Sequence, residues 1–98
     1  MFRLPQPAAA QLEQALLEIP GISGLHSGRF GEVALLYANS RIPGIRIDDD
    51  CLEVHVIAEF GVDYQELANS VREVVHAQDE VPGHVQVDVF IADLVESE

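Results

Sequence analysis

The sequence predicts an α+β domain of two layers, a mixed β-sheet of about four strands with two helices on one face, in the order α-β-β-β-α-β. Three observations lead there. Near the start, Leu12, Ala15, Leu16 and Ile19 recur at i, i+3, i+4 and i+7, which places them on one helical face. In the middle, Leu52, Val54, Val56 and Ala58 alternate with Glu53, His55, Ile57 and Glu59, the period of a strand. A second helix-period stretch and a last alternating strand follow, and a strand, a helix and a further strand normally form a right-handed crossover within one sheet.

Taken in order, the first helix runs from about Pro7 or Ala8 to Ile19, and Pro20-Gly21 stops it. The glycines at 21, 24, 28 and 31 cut the next stretch into short pieces, with room for a strand near Ile22 to His26 and another near Glu32 to Tyr37. Ile45 and Ile47 open a hairpin whose turn is Asp48-Asp49-Asp50 and whose return strand is Leu52 to Ala58. Gly61 ends that strand. Asp63 and Glu66 have the spacing of a capping box, so a second helix begins there, burying Tyr64, Leu67, Ala68, Val71, Val74 and Val75 and fading near Ala77. Pro82-Gly83 turns the chain into the last strand, where Val85, Val87, Val89 and Ile91 alternate with His84, Gln86, Asp88 and Phe90. Both helices then cover the valine face, and the opposite sheet face is left open.

At 98 residues the chain fits one domain, 1–98, with an ordered core at about 8–94. A content of 48% hydrophobic and 22% charged residues is that of a folding chain. Apolar runs such as Val33 to Ala38 fall far short of a bilayer span, and the start has two prolines by position 7 and no long apolar run, unlike a secretory signal. The single cysteine, Cys51, has no internal disulfide partner, which suits a reducing compartment. These readings lead to a soluble, intracellular protein.

Charge divides the chain. The net charge is −12, with five arginines and no lysine. Residues 1–47 set four arginines against three glutamates, whereas residues 48–98 set Arg72 against fourteen acids. Nucleic acids and anionic bilayers attract basic surfaces, so neither direct nucleic-acid binding nor direct membrane insertion is expected.

No catalytic, cofactor or metal site emerges. The histidines at 26, 55, 76 and 84 lack the close spacing of metal ligands; Cys51, Glu53, His55 and Asp88 share the open face, and read better as a polar stripe than as a soft metal site. The aspartate run lacks the remainder of a calcium loop. None of the serines stands in an elbow motif, and acidic neighbours of Cys51 disfavour its thiolate. Two G-x-x-G tetrads, Gly21 to Gly24 and Gly28 to Gly31, raise the alternative of a KH-like nucleic-acid-binding domain; turns punctuated by glycine are the plainer reading, because a KH loop joins two helices.

In wording and order, several segments resemble the alkaline shock protein family, the envelope stress response family of Gram-positive bacteria. They are Pro20-Gly21-Ile22, Gly28-Arg29-Phe30-Gly31-Glu32-Val33-Ala34, Ile42-Pro43-Gly44-Ile45-Arg46-Ile47 and Leu52-Glu53-Val54-His55-Val56 up to Phe60-Gly61. Leu67-Ala68, Val71-Arg72, Pro82-Gly83 and Ala92-Asp93 continue the pattern, and the arginine-only composition looks like that of a high-GC actinobacterial member. The resemblance implies a non-enzymatic cytoplasmic protein linked to envelope stress and homeostasis, recruited to the inner face of the membrane by a partner protein. It brings no catalytic residues.

The residues themselves single out one surface. The open face carries Ile57 and Phe90 among Glu53, His55, Glu59, Gln86 and Asp88, with Ile57 and Phe90 expected side by side. Self-association as a homo-oligomer, or capture of a protein partner, is expected there, with His55 at the same site.

Overall fold

The computed structural model describes residues 2–96; Met1, Ser97 and Glu98, at the ends of the span read as one domain, lie outside the described residues. The chain is an α+β fold whose elements run α1 (Gln6–Leu17), β1 (Ile22–Leu25), β2 (Ala34–Leu36), β3 (Arg41–Pro43), β4 (Ile45–Asp48), β5 (Cys51–Glu59), α2 (Tyr64–His76) and β6 (Gln86–Val95).

Pro5 caps α1 and Pro7 sits in its first turn, where a missing N–H costs nothing because that donor has no helical partner. The helix ends at Leu17, two residues before the expected Ile19. The ring of Pro20 crowds the preceding residue out of the helical region, and Ile19 instead anchors a turn by accepting the Ile22 N–H at 3.1 Å. At the other helix, Asp63 Oδ1 accepts the N–H groups of both Gln65 and Glu66 at 3.1 Å, so the cap is made by the aspartate.

Five strands separate the helices, two more than the order α-β-β-β-α-β and one more than the four segments read along the chain, because the segment after Tyr37 is bent at Gly44, which holds φ at +85°. Before the bend, β3 pairs antiparallel with β2 in a two-stranded ribbon; after it, β4 pairs antiparallel with β5. The main sheet keeps four strands, β1, β4, β5 and β6. Strand β5 is its centre. β4 takes residues 51–54 of β5 and β1 takes residues 56–58, while β6 runs parallel to all nine residues. A strand has two edges, so β1 and β4 share one and β6 occupies the other. They meet at His55, whose N–H donates to Gly44 at 2.8 Å and whose carbonyl accepts from His26 at 2.9 Å.

Alternation along β5 holds throughout: Leu52, Val54, Val56 and Ala58 are fully buried and the residues between them are half-buried. They form one core with Leu12 and Leu16 of α1, Leu67, Val71 and Val75 of α2, and Ile45 of β4. Both helices therefore lie on one face. At roughly 25 cal/mol per Å² of apolar area removed from water, this layer is the main source of stability.

Candidate protein-interaction surface

The open face is built from the alternate residues of β4, β5 and β6. Arg46 lies opposite Glu53, and Glu53 opposite Asp88; Cys51 lies opposite Gln86, and His55 opposite Phe90. The polar groups partner one another. Asp88 accepts from the Gln86 amide at 2.9 Å and from the Cys51 thiol at 3.2 Å, and Glu53 meets His55 Nε2 at 3.1 Å. The Gln86 and Cys51 donors hold the Asp88 carboxyl below its ordinary range. Burial, reinforced by that carboxylate, pushes the Cys51 thiol up to about 11. Cys51 is thus a protonated hydrogen-bond donor and not a thiolate. Cys51, Glu53, His55 and Asp88 do share the face, but among the described residues no three such groups are arranged to hold a metal ion.

Phe90 is the apolar member of this face. Its ring stacks on His55 with centroids 4.4 Å apart and an interplanar angle of 20°, yet the residue stays 44% exposed. The expected neighbour, Ile57, is not beside it. A bulge at Ala92 shifts the β5–β6 register between Val56 and Ile57, so Ile57 pairs with Asp93 and its side chain lies over Gly24 of β1. The three residues singled out from the sequence, Ile57, Phe90 and His55, share the face, but it is His55 that pairs with Phe90 across the strands and stacks on its ring. The lone alternation of β6 could not reveal the bulge, since Ala92 carries no pattern of its own.

Around the bulge the strand behaves differently from expectation. Ile91, read as a core residue, is 37% exposed, and Leu94 is 43% exposed. The physical reason is position: among the described residues β6 has a strand on one side only, and α2 meets it at its start, where Arg72 reaches the Val87 carbonyl. Val87 is buried, Val89 half-buried and Ile91 exposed, in step along the strand.

Two further surfaces were not signalled by periodicity. The loop Ser27 to Val33 presents Phe30, 86% exposed, with the Arg29 guanidinium 5.8 Å from its ring centre. This loop is pinned: the Gly28 N–H donates to His26 Nδ1, the Phe30 N–H to the Glu32 carboxylate, and the Arg41 guanidinium to the Gly31 carbonyl. Two backbone donors, its own N–H first and then that of Phe30, hold the Glu32 carboxyl low. The tetrads Gly21 to Gly24 and Gly28 to Gly31 lie at the entry to β1 and in this loop, and neither joins two helices. The other surface is an open cleft of about 420 Å³ between the N-terminal segment, β2 and β4, lined by Phe2, Leu4, Leu35, Leu36, Tyr37 and Ile47 with Arg3. There the Tyr37 hydroxyl donates to the Leu4 carbonyl at 2.7 Å, and burial raises its pKa.

Among the described residues no helix is long and apolar enough to cross a membrane. No protein-family model, no curated protein and no solved structure matches this chain.

Proposed function

We propose that this chain is a non-enzymatic binding and assembly module that acts through protein–protein contacts made by the open sheet face and the adjoining β6 strand. One observation carries the reading. Phe90, Ile91 and Leu94 stand exposed on a single strand that, among the described residues, has a neighbour on one side only, while the polar groups beside them are already satisfied by each other. An exposed aromatic anchor inside a rim of paired polar groups is the arrangement in which interfaces concentrate their energy. The setting in cell-envelope stress or homeostasis, with a cytoplasmic location and recruitment to the inner membrane face by a membrane-embedded partner, rests on the motif resemblance alone. The acidic charge of the C-terminal half, which supplies this surface, favours proteins over nucleic acid as partners.

Capture from detergent-solubilised membranes of a Gram-positive cell, comparing immobilised wild type with the Ile57→Glu, Phe90→Glu double variant, tests the reading. Both side chains are at least partly exposed, so the variant folds, as circular dichroism will verify. Loss of a membrane protein from the variant's eluate is the expected result. Equal capture by both sinks this surface and points instead to the loops bearing Arg29, Arg41 and Arg46.

A further inference from the structure

Among the described residues strand β6 has no neighbour along one edge, and the openness is confined. The Gln86 N–H donates to Asp50 and the Val95 carbonyl accepts from Phe60, which sets the residues whose backbone groups face β5. Backbone groups alternate sides along a strand, so Val87, Val89 and Ile91 direct theirs away from the sheet. At the start of this edge the Arg72 Nε–H, reaching down from α2, donates to the Val87 carbonyl at 3.3 Å. At its far end, beyond the Ala92 bulge, the Leu94 N–H is taken by the Asp93 side chain at 2.9 Å. Between the two lies a window, Val89 to Ile91, with Phe90 at its centre.

We propose that this window pairs antiparallel with the same window of a second copy, about a two-fold axis through Phe90. The proposal rests on the binding reading above and names the partner of the same surface. An antiparallel pair brings outward-facing residues opposite one another, so only a few registers are open. With the axis at Phe90, Val89 of each copy faces Ile91 of the other, and the two residues exchange N–H···O bonds, four in all for the pair of windows. An axis at Val89 sets Ile91 against Val87, whose carbonyl Arg72 already occupies. Moving the axis to Asp88 stacks carboxylate on carboxylate, and an axis at Ile91 sets Val89 against Asp93, which the bulge has turned toward β5. The axis at Phe90 is therefore the register that uses all four outward groups of Val89 and Ile91.

Side chains agree with this choice. Phe90 meets Phe90 of the second copy on the open face, extending the His55–Phe90 stack into a row of four rings. Val89 and Ile91 meet on the core face, which covers the exposed Ile91. Asp88 faces the small Ala92, and past the bulge Asp93 lies with Ile57 on the open face, so this register sets no two carboxylates directly opposite one another. The charge of −12 on each copy opposes association over longer distances, but most of it is beyond the screening length of about 8 Å at physiological salt.

Cysteine cross-linking of the purified protein reads the register directly. In a Cys51→Ser background, Phe90→Cys places two thiols on the axis, at a non-hydrogen-bonded pair with Cα atoms about 4.5 Å apart, within disulfide range. Asp88→Cys, two residues away on the same face, has Ala92 opposite it. The expected result is a disulfide-linked dimer from Phe90→Cys, formed at least tenfold faster than from Asp88→Cys under the same mild oxidant. Light scattering should give twice the 10.7 kDa chain mass for the wild type, and the chain mass for Ile91→Pro, which removes an outward N–H that the monomer does not use. A wild type that stays monomeric at high concentration, or equal cross-linking at positions 88 and 90, overturns the proposal. Should Ile91→Pro fail to fold, the cysteine pair still decides. Monomeric wild type whose membrane-protein capture is lost in Ile57→Glu, Phe90→Glu sinks the self-pairing and spares the binding reading; a dimer with undiminished capture does the reverse.

Discussion

Gly44 backs onto Leu25 so closely that a β-carbon added to the glycine would stand 2.5 Å from the Leu25 β-carbon and 3.2 Å from the His55 carbonyl oxygen. This contact is where β1 and β4 meet along one edge of β5, and it depends on a residue without a side chain at φ +85°. Gly44→Ala combines a left-handed backbone cost of roughly 1–2 kcal/mol with overpacking of about 1–3 kcal/mol. The sum is a large share of a small domain's stability. A chemical-denaturation midpoint close to that of wild type would show that the junction relaxes without cost.

The two faces of β5 make opposite demands on neighbouring positions. Val54 is fully buried under the helices, so Val54→Asp places an unpaired carboxylate in an apolar layer, at several kcal/mol, and the domain unfolds. His55→Ala, one residue on, loses its stack with Phe90 and its contact with Glu53, and costs about 1 kcal/mol with the fold retained. Far-ultraviolet circular dichroism on both variants checks the pair. Equal tolerance would mean that the strand register is displaced by one residue.

Cys51 should be a slow nucleophile. With its pKa raised from 9.0 to about 11, the thiolate population near pH 8 falls on the order of 100-fold below that of the unfolded chain. Alkylation by iodoacetamide is expected to be slower by a similar factor in the native protein than in urea, and Asp88→Asn should recover part of the difference. The sign for stability follows from the raised folded value: the contribution is fully present below pH 9.0 and is lost as pH rises through about 11. Urea midpoints of wild type and Cys51→Ala should therefore converge or cross in that window; a constant gap across it contradicts the assignment.

The aspartate turn should tolerate neutralisation. Asp48 pairs with Cys51, leaving Asp49 and Asp50 as a two-residue hairpin turn, and Asp49 holds φ at +57°, where glycine and asparagine are at ease. Asp49→Gly is expected to change stability by less than about 1 kcal/mol, in either direction. Asp50 meets His84 at 3.5 Å in an exposed pair, which adds little, while its backbone carbonyl keeps the Gln86 bond whatever the side chain. Calcium should leave the melting temperature of the wild type and of Asp49→Asn, Asp50→Asn unchanged; a rise in wild type alone would falsify the structural reading of the turn.

Taken alone, the sequence determined the fold class, the two helices, the buried face of β5 and the open face that carries His55, Ile57 and Phe90. These features repeat locally, at 2 or 3.6 residues, and the same side chains that set the period also decide which face loses water. Only the tertiary structure decided that His55 and not Ile57 lies against Phe90, that β1 and β4 share one edge of β5, and that β6 leaves a capped window from Val89 to Ile91. The physical reason is that each depends on pairing between strands distant in sequence. The Ala92 bulge shifts one strand by a residue relative to its neighbour, Gly44 bends another, and Arg72 reaches from a helix to a backbone carbonyl, and no local period records any of these.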